Sequence, residues 1–446
     1  MQRPRSSIRL ALCLLALPTW LACSDPAGEE ESEAASGSET DGGDGDGDDP
    51  STTATSPTAG DGDGDEPTSG DGDGDGDADT CEPDPPLAET LEGELSELAE
   101  PTPEFSCNLL DGDGPGFNAG YLAPGGSSTL DFVDVGSDGL VYAAGSVGNE
   151  GLLLSVELGN NPNNNSAWAR QWSYTAGPGA VRGMVAEFDR VWLSTAPEHL
   201  LAIAYDGTLA EGPLEPVMPG LAYISALHAG ANQLLVGATD RGGPPTCLGP
   251  TRVQLADPGS GAALDTTEGS FTTRPYGIGS DGSGGLWLAT LDLNGQGVTI
   301  TNIDADGIKG VEIPVSNDDA FAIGGDFAVA SNGDPILALR GPFIIELYRF
   351  NPDGSEQWMI TLPALGTEYN PDPHIDLDAS DTISLAIDVD TSLGFAQVDG
   401  GGNVGALSRW DCGAPLVVTD LAVSPNGSDI WVSGVQDGRG FLASYQ

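Results

Sequence analysis

Positive charge is almost absent from this chain of 446 residues. It has 14 Lys and Arg against 69 Asp and Glu, which gives a formal net charge of −55, and Lys309 is its single lysine. No basic residue occurs between Arg9 and Arg170. Such a chain repels nucleic acid phosphates and anionic lipid headgroups. We therefore exclude DNA and RNA as partners, whereas cations, cationic proteins and neutral ligands stay open.

The sequence also lacks the motifs of several common enzyme mechanisms. Gly-x-Ser-x-Gly, a phosphate-binding loop, His-Glu-x-x-His and Cys-x-x-Cys do not occur. Histidine is scarce, with three residues in the whole chain: His199, His228 and His374. These absences favour a protein that is not an enzyme.

Residues 1–22 have the pattern of an export signal. Three arginines precede an apolar run at 10–17, which is too short to span a membrane. Ala22 then precedes Cys23, and this ending resembles a bacterial lipoprotein signal, although Trp20 stands where such signals usually have Leu, Val or Ile. The resemblance implies a lipid on Cys23 that anchors the protein to the cell envelope, at the outer membrane or cell surface. Ordinary secretion is the alternative.

Residues 23–104 form an acidic segment rich in glycine and aspartate. No large apolar residue occurs at 24–86, so this part cannot offset its ordering entropy, and we expect a disordered tether. Leucines at helical spacing then predict a short amphipathic helix over 87–100.

The tether contains one match to a calcium-binding loop. The loop positions one, three, five and twelve fall on Asp71, Asp73, Asp75 and Glu82. Such a loop needs a helix on each side, and residues 56–70 do not predict one. We therefore favour diffuse cation binding by a spacer over a defined calcium site.

After residue 130 the chain repeats a unit of four predicted strands. The second strand of each unit is apolar, as in "GLVYAAG" from 139, "GGLWLAT" from 284 and "SDIWVSG" from 428. Asp-Gly and Asn-Gly pairs mark the hairpins, and the period is roughly 42–51 residues, as in propeller blades. Seven such units predict an all-β, seven-bladed β-propeller. The units resemble secreted bacterial propeller repeats of the Asp-Gly-x-Val-Tyr/Trp type, which implies a fold and no chemistry.

The last unit ends at its third strand, "FLASYQ". Unless another segment supplies the fourth strand, the ring has an exposed edge. We expect that strand to come from residues 105–123, which makes 105–446 the propeller domain.

Four cysteines besides Cys23 follow the signal: Cys81, Cys107, Cys247 and Cys412. In an oxidising compartment they allow three pairings. The favoured pairing joins Cys81 to Cys107 and Cys247 to Cys412, because the first two are nearest in sequence. In the alternative, Cys107 pairs with Cys412 and staples the ring closure.

One predicted first strand has alternating polar residues that suit a cation. His374, Asp376 and Asp378 alternate, so they should share a face, and first strands line the central channel. The sequence thus indicates a cation site there, with calcium as the candidate ion, although aspartates at strand ends also serve turns.

The favoured function is a surface-anchored, monomeric, non-enzymatic propeller that binds an envelope or extracellular protein or a glycan. The alternatives are a calcium-dependent enzyme of the lactonase or lyase type and a structural envelope protein.

Overall fold

The regular structure in the described part of the chain is all β-strand. The computed structural model describes residues 91, 94–99, 102–111, 119–124, 126–157, 167–174, 179–195, 199–214, 221–230, 233–242, 247–257, 259, 263–271, 274–291, 297–316, 325–341, 344–363 and 372–445. They belong to one unit, residues 73–446. None of them lies in a helix long and apolar enough to cross a membrane.

The strands form seven antiparallel sheets, which we number as blades 1 to 7 in chain order. From the first strand outward, blade 1 contains Ser128–Val135, Leu140–Val147, Glu150–Glu157, Ala167–Trp172 and Ser96–Glu97. Blade 2 contains Val181–Glu187, Arg190–Thr195, His199–Ala204 and Leu209–Leu214. Blade 3 contains Leu221–Gly230, Gln233–Gly242, Cys247–Ala256 and Ala263–Phe271.

Blades 4 to 7 follow the same outward order. Blade 4 contains Arg274–Ser280, Leu286–Leu291, Gly297–Ile303 and Lys309–Ser316, and blade 5 contains Gly325–Val329, Pro335–Gly341, Ile344–Phe350 and Glu356–Pro363. Blade 6 contains His374–Leu377, Ile383–Val389, Ser392–Val398, Val404–Asp411 and Asn108–Asp111. Blade 7 contains Leu416–Val423, Ile430–Gln436, Arg439–Tyr445, Ala119–Leu122 and Thr102–Phe105.

The first strands lie side by side in chain order, and the first strand of blade 7 contacts that of blade 1. The sheets therefore close into a ring around an axis, and the prediction of an all-β propeller is confirmed.

The apolar core is divided among the junctions between blades. Each buried cluster combines side chains of two neighbouring blades, for example Trp192 of blade 2 with Val236 of blade 3, and Trp431 of blade 7 with Val141 of blade 1. Second strands are buried on both faces, as the pattern of Leu286–Leu291 shows. Such strands read as continuous apolar runs, which explains why they were the clearest repeat in the sequence.

Most first hairpins turn where Asp-Gly or Asn-Gly predicted. Gly139 and Gly333 have φ of 80° and 88°, which glycine adopts without strain. Blade 6 has Asp381 at the corresponding turn, with φ of 60°. In the hairpin between the third and fourth strands of blade 6, Asp399-Gly400 is followed by the left-handed residue Gly402, whose N–H donates to the Asp399 carbonyl.

The chain before the repeats completes blade 7. Ala119–Leu122 pairs with Arg439–Tyr445, and Thr102–Phe105 adds a further strand outside it. The rings of Phe105 and Phe441 stack with centroids 4.4 Å apart. N-terminal and C-terminal segments therefore share one sheet, which closes the ring without relying on contacts between loops.

A disulfide among the described residues differs from the favoured pairing. Cys107 is joined to Cys412, across 305 residues of sequence. Proximity in sequence was misleading because Asn108–Asp111 pairs with the outer strand of blade 6, which brings Cys107 to Cys412. By chain entropy, closing such a loop stabilises the fold by on the order of 5 kcal/mol.

The helix predicted over 87–100 is also wrong for the described residues of that segment. Ser96–Glu97 pairs with Ala167–Trp172, and Leu91 forms an isolated bridge to Tyr174. Leu95 packs onto the buried cluster that blades 1 and 2 share, and Leu98 onto the cluster that blades 7 and 1 share. An open sheet edge and an apolar surface thus outweigh the helical spacing of the leucines.

The closing strand allows a direct test with a matched pair of glycines. A Cβ at Gly120 would lie 2.7 Å from both the Leu442 carbonyl oxygen and Phe105 Cδ1, whereas a Cβ at the exposed Gly126 meets nothing within 4 Å. We expect Gly120→Ala to lower the free energy of unfolding by about 1–3 kcal/mol. Gly126→Ala should change it by less than about 0.5 kcal/mol. Thermal melting checks both, and equal melting temperatures would contradict the pairing at the closure.

Candidate functional site

A cavity of about 240 Å³ lies on the axis of the ring. All seven first strands contribute to its wall, and its polar side chains are Asp134, His228, Asp326, Asp376 and Asp420. The carboxylates come from blades 1, 5, 6 and 7, which are consecutive around the ring. Blades 2, 3 and 4 supply the other half of the wall, where His228 is the one titratable side chain and the neighbouring lining residues are apolar or glycine.

Each of these four aspartates connects its own strand to the next blade. One carboxylate oxygen accepts from the N–H of the following residue at 2.7–2.8 Å. The other oxygen accepts from a backbone N–H of the next first strand. These bridges run from Asp326 to Ile375 (2.9 Å), Asp376 to Val423 (2.7 Å), Asp420 to Val133 (2.8 Å) and Asp134 to Ala186 (2.7 Å).

The bridges exist because a first strand is the edge of its sheet. Its N–H groups on the axis side have no neighbouring strand, and an unpaired buried N–H costs about 1–3 kcal/mol. A short carboxylate reaches both its own chain and the adjacent one. The aspartates therefore connect neighbouring first strands at the axis, as ladder hydrogen bonds connect neighbouring strands within a blade.

The bridging aspartates carry strongly shifted acidities. Burial raises the pKa of Asp134 and of Asp376 to about 7, and that of Asp326 to about 6. Burial, with repulsion from Asp326, raises the pKa of Asp420 well above its usual range. Among the described residues, no Lys or Arg forms an ion pair with these carboxylates. Near neutral pH Asp134 and Asp376 are therefore only partly ionised, and the charge that remains has no cationic partner among the described residues.

A histidine joins the carboxylates of the channel. Asp326, His374 and Asp420 each offer a ligand atom, and these atoms lie within 4.8 Å of one another. Burial lowers the pKa of His374 to about 4, and a hydrogen bond to the backbone of Val418 opposes that shift. Burial likewise lowers the pKa of His228 to about 4. Both imidazoles are therefore neutral at pH 7 and can accept or coordinate.

The structure changes the membership of the channel group predicted from sequence. His374 and Asp376 lie at the axis, but Asp378 lies in the following turn, where its Oδ1 accepts from the N–H groups of Ser380 and Thr382. Asp326 and Asp420 were missed because they belong to other blades. The signal available was their shared context, "DFAV" and "DLAV", before an Asn-Gly turn.

The remaining predicted residues do not meet at this site. His199 packs against Tyr174 at the junction of blades 1 and 2, with ring centroids 5.4 Å apart. The backbone of Cys247 pairs with Gly242 in blade 3. The lipidation candidate and the tether residues lie outside the described residues: Cys23, Asp71, Asp73, Asp75, Cys81 and Glu82.

Comparison with known proteins gives a fold and no family. No family model matches the chain, and no curated protein matches it. Hydrazine synthase of Kuenenia stuttgartiensis is similar in structure, with a TM-score of 0.52 at 11% identity over 72% of this chain and 96% of that chain. This likeness shows the fold alone.

Two further solved structures are similar at lower scores. The WD40 β-propeller domain of Doa1 has a TM-score of 0.44 at 12% identity, over 81% of this chain and 97% of that one. A catalytically inactive virginiamycin B lyase from Staphylococcus aureus, with quinupristin, has 0.49 at 14% identity, over 79% and 99%. Neither adds to the interpretation of the site.

The bridging role predicts a specific loss of stability. Asp420→Ala leaves the N–H groups of Val133 and Leu421 without their acceptor in the buried wall. We expect the free energy of unfolding to fall by about 2 kcal/mol, because two buried N–H donors lose their acceptor. Asp306 lies in an exposed turn, and Asp306→Ala should cost less than about 0.5 kcal/mol. Calorimetry measures the melting temperatures of both variants. Equal values for Asp420→Ala and Asp306→Ala would show that the bridge from Asp420 to Val133 does not stabilise the fold.

The shifted acidities also predict a pH dependence for the metal-free protein. The aspartates have native pKa values above the unfolded value of 3.8, so the native state binds more protons than the unfolded state. Their stabilising contribution is complete below about pH 4 and is lost as the pH rises through 6–7. The two channel histidines act in the opposite direction, but only up to their unfolded value of 6.5. We therefore expect the melting temperature in EDTA to fall by several degrees from pH 6.5 to 8.

Asp376→Asn is the variant that isolates this effect, because it removes one titrating group. The fall between pH 6.5 and 8 should be smaller in Asp376→Asn and unchanged in Asp306→Asn. A melting temperature that rises over this range in the native chain would show that the channel carboxyls are already ionised at low pH.

Proposed function

We propose that this protein is a non-enzymatic binding module whose channel cavity holds a glycan. The propeller is displayed at the cell envelope by a lipid on Cys23 and by the acidic tether that follows. The single observation that carries the proposal is the cavity on the axis, to which every blade contributes.

The two halves of the cavity wall suit a sugar. The bridging aspartates keep lone pairs that can accept from hydroxyl groups, because each oxygen accepts one backbone N–H. Phe132, Phe327, Met184 and Leu227 also line this space, although the surface that faces the cavity is mostly polar. A pyranose ring combines hydroxyl donors with an apolar face, and small-ligand sites typically combine apolar walls with a few fixed polar groups.

The anchoring part of the proposal rests on sequence. The basic start, the short apolar run and Cys23 have the lipoprotein pattern, and residues 24–86 offer an extended acidic spacer. The net charge keeps the propeller away from anionic headgroups. Those features favour a domain that is held near a membrane without lying on it.

A lactonase- or lyase-type enzyme is the second candidate, and one observation favours it. Asp134 and Asp376 have pKa values of about 7, which suits proton transfer near neutral pH. Their bridging hydrogen bonds already explain their positions, so we place binding first.

Binding is tested by blocking the cavity without touching a carboxylate. The full chain is applied to an array of mono- and oligosaccharides, and each hit is measured by calorimetry. Met184 lines the cavity, so Met184→Trp should weaken binding by about tenfold or more through lost space. Met359 is 45% exposed on an outer strand, and Met359→Trp should leave the affinity unchanged.

Three outcomes would contradict the proposal: no saccharide is bound, Met184→Trp binds as well as the native chain, or a bound sugar acid or lactone is turned over. The last result would establish the enzyme in place of the binding module.

A further inference from the structure

Blades 5, 6 and 7 place three ligand-bearing residues at one level of the channel. The first hairpins of these blades begin with the pairs Val329–Pro335, Leu377–Ile383 and Val423–Ile430. Counting back three residues from the first member of each pair gives Asp326, His374 and Asp420. Asp134 and Asp376 stand two residues closer to the hairpin, which is about 7 Å along a strand. The backbone register therefore places Asp326, His374 and Asp420 at the same level, in agreement with the distances between their side chains.

The ligand atoms at this level almost reach a metal-binding geometry. Three atoms that are all within 4.8 Å of one another surround a point no more than about 2.8 Å from each, and zinc bonds to nitrogen and oxygen are about 2.0–2.2 Å. A shift of less than about 1 Å per side chain would complete the bonds. Such shifts are available to side-chain torsions without movement of the strands.

The three groups are oriented from behind by the backbone. Asp326 and Asp420 each accept two N–H donors, and the imidazole of His374 is hydrogen-bonded to the backbone of Val418. A ring nitrogen that donates to a carbonyl leaves the other one with a free lone pair. This is the arrangement in which outer hydrogen bonds fix metal ligands in known sites.

We propose that Asp326, His374 and Asp420 bind one first-row divalent transition-metal ion, with zinc as the reference ion. The imidazole is decisive, because calcium and magnesium prefer all-oxygen sites whereas zinc, manganese and copper accept nitrogen with carboxylate. Two aspartates and a divalent ion are neutral together, so the metal supplies the counter-charge that the wall lacks.

The site also deepens the proposed function, on which this second step rests. Three protein ligands leave at least one coordination position. On the opposite wall Met184 and Gly277 offer no side-chain ligand atom, and His228 does not belong to the group of atoms within 4.8 Å of one another. Asp326 and Asp420 line the cavity, so we expect the open position to face it. There the metal binds a hydroxyl or carboxylate oxygen of the glycan and fixes its orientation.

The test uses the thermal midpoint of the full chain after treatment with EDTA. A metal that binds only the folded propeller raises that midpoint, whereas diffuse binding to the acidic residues of 24–86 acts equally on the folded and unfolded states and cancels. We expect Zn²⁺ to raise the midpoint by several degrees, and Ca²⁺ to have little effect. His374→Gln should abolish most of the zinc shift, with affinity reduced by about tenfold or more. His228 lines the cavity but is not one of the three proposed ligands, and His228→Gln should keep the shift.

A spectroscopic measurement covers the case in which His374→Gln fails to fold. Pulsed electron paramagnetic resonance of Cu²⁺ bound to the native chain should show a directly coordinated imidazole nitrogen. None of the three histidines lies in the tether, so that segment cannot produce the signal. The signal should persist in His228→Gln and in His199→Gln.

The proposal is overturned by the absence of a zinc shift, by an equal shift in His374→Gln, or by copper without a nitrogen ligand. Glycan binding that is unaffected by EDTA would reject the metal as the recognition element and leave the binding module standing. A zinc site without any glycan ligand would retain the metal and reject the proposed function.

Discussion

The fold depends on how the backbone N–H groups of the first strands are hydrogen-bonded at the axis of the ring. Seven first strands present an edge to the centre, and that edge carries N–H groups that no neighbouring strand can pair. Aspartates on four consecutive blades satisfy part of this demand by accepting from two strands at once. The same side chains give the cavity its charge. Stability and binding chemistry are therefore properties of one set of residues.

That dual role has an electrostatic consequence. Burial raises the pKa of all four carboxyls, and two hydrogen bonds to each offset this only in part. Repulsion from another channel carboxylate raises the pKa of Asp134, Asp376 and Asp420 further. A buried carboxylate outside the channel is instead paired with a cation of the same chain. Asp334 and Arg349 are both nearly fully buried, and they pair at 2.9 Å. The contrast marks the axis as a place where a counter-charge is expected from outside the chain.

The core of the molecule was largely predictable from sequence, and the closure only in part. Apolar second strands and Asn-Gly turns are local signals, so the repeats and the all-β class could be identified without tertiary information. The predicted helix over 87–100 was wrong because the spacing of apolar residues does not reveal which surface they cover. Strand pairing and packing on the blades determine the structure around Leu91, Leu95 and Leu98. Cys107 misled for a similar reason, since the strand after it crosses to blade 6. Contacts between distant segments depend on register, which composition does not encode.

The channel site follows the same division. His374 and Asp376 stood out because they alternate within one strand, but Asp378 obeyed turn chemistry instead. Asp326 and Asp420 could be linked to His374 only once the blades were closed in order, because the three residues are 48 and 46 positions apart, from 326 to 374 and from 374 to 420.

Amide hydrogen exchange of the native chain tests the central claim most directly. If carboxylates bridge the first strands, the amides of Val133, Ala186, Ile375 and Val423 should be as strongly protected as ladder amides in the second strands. Protection at Val133 should disappear in Asp420→Ala while the other three amides keep it. Exchange of all four amides at the rate of exposed turn residues would show that the axis is held by something other than these aspartates.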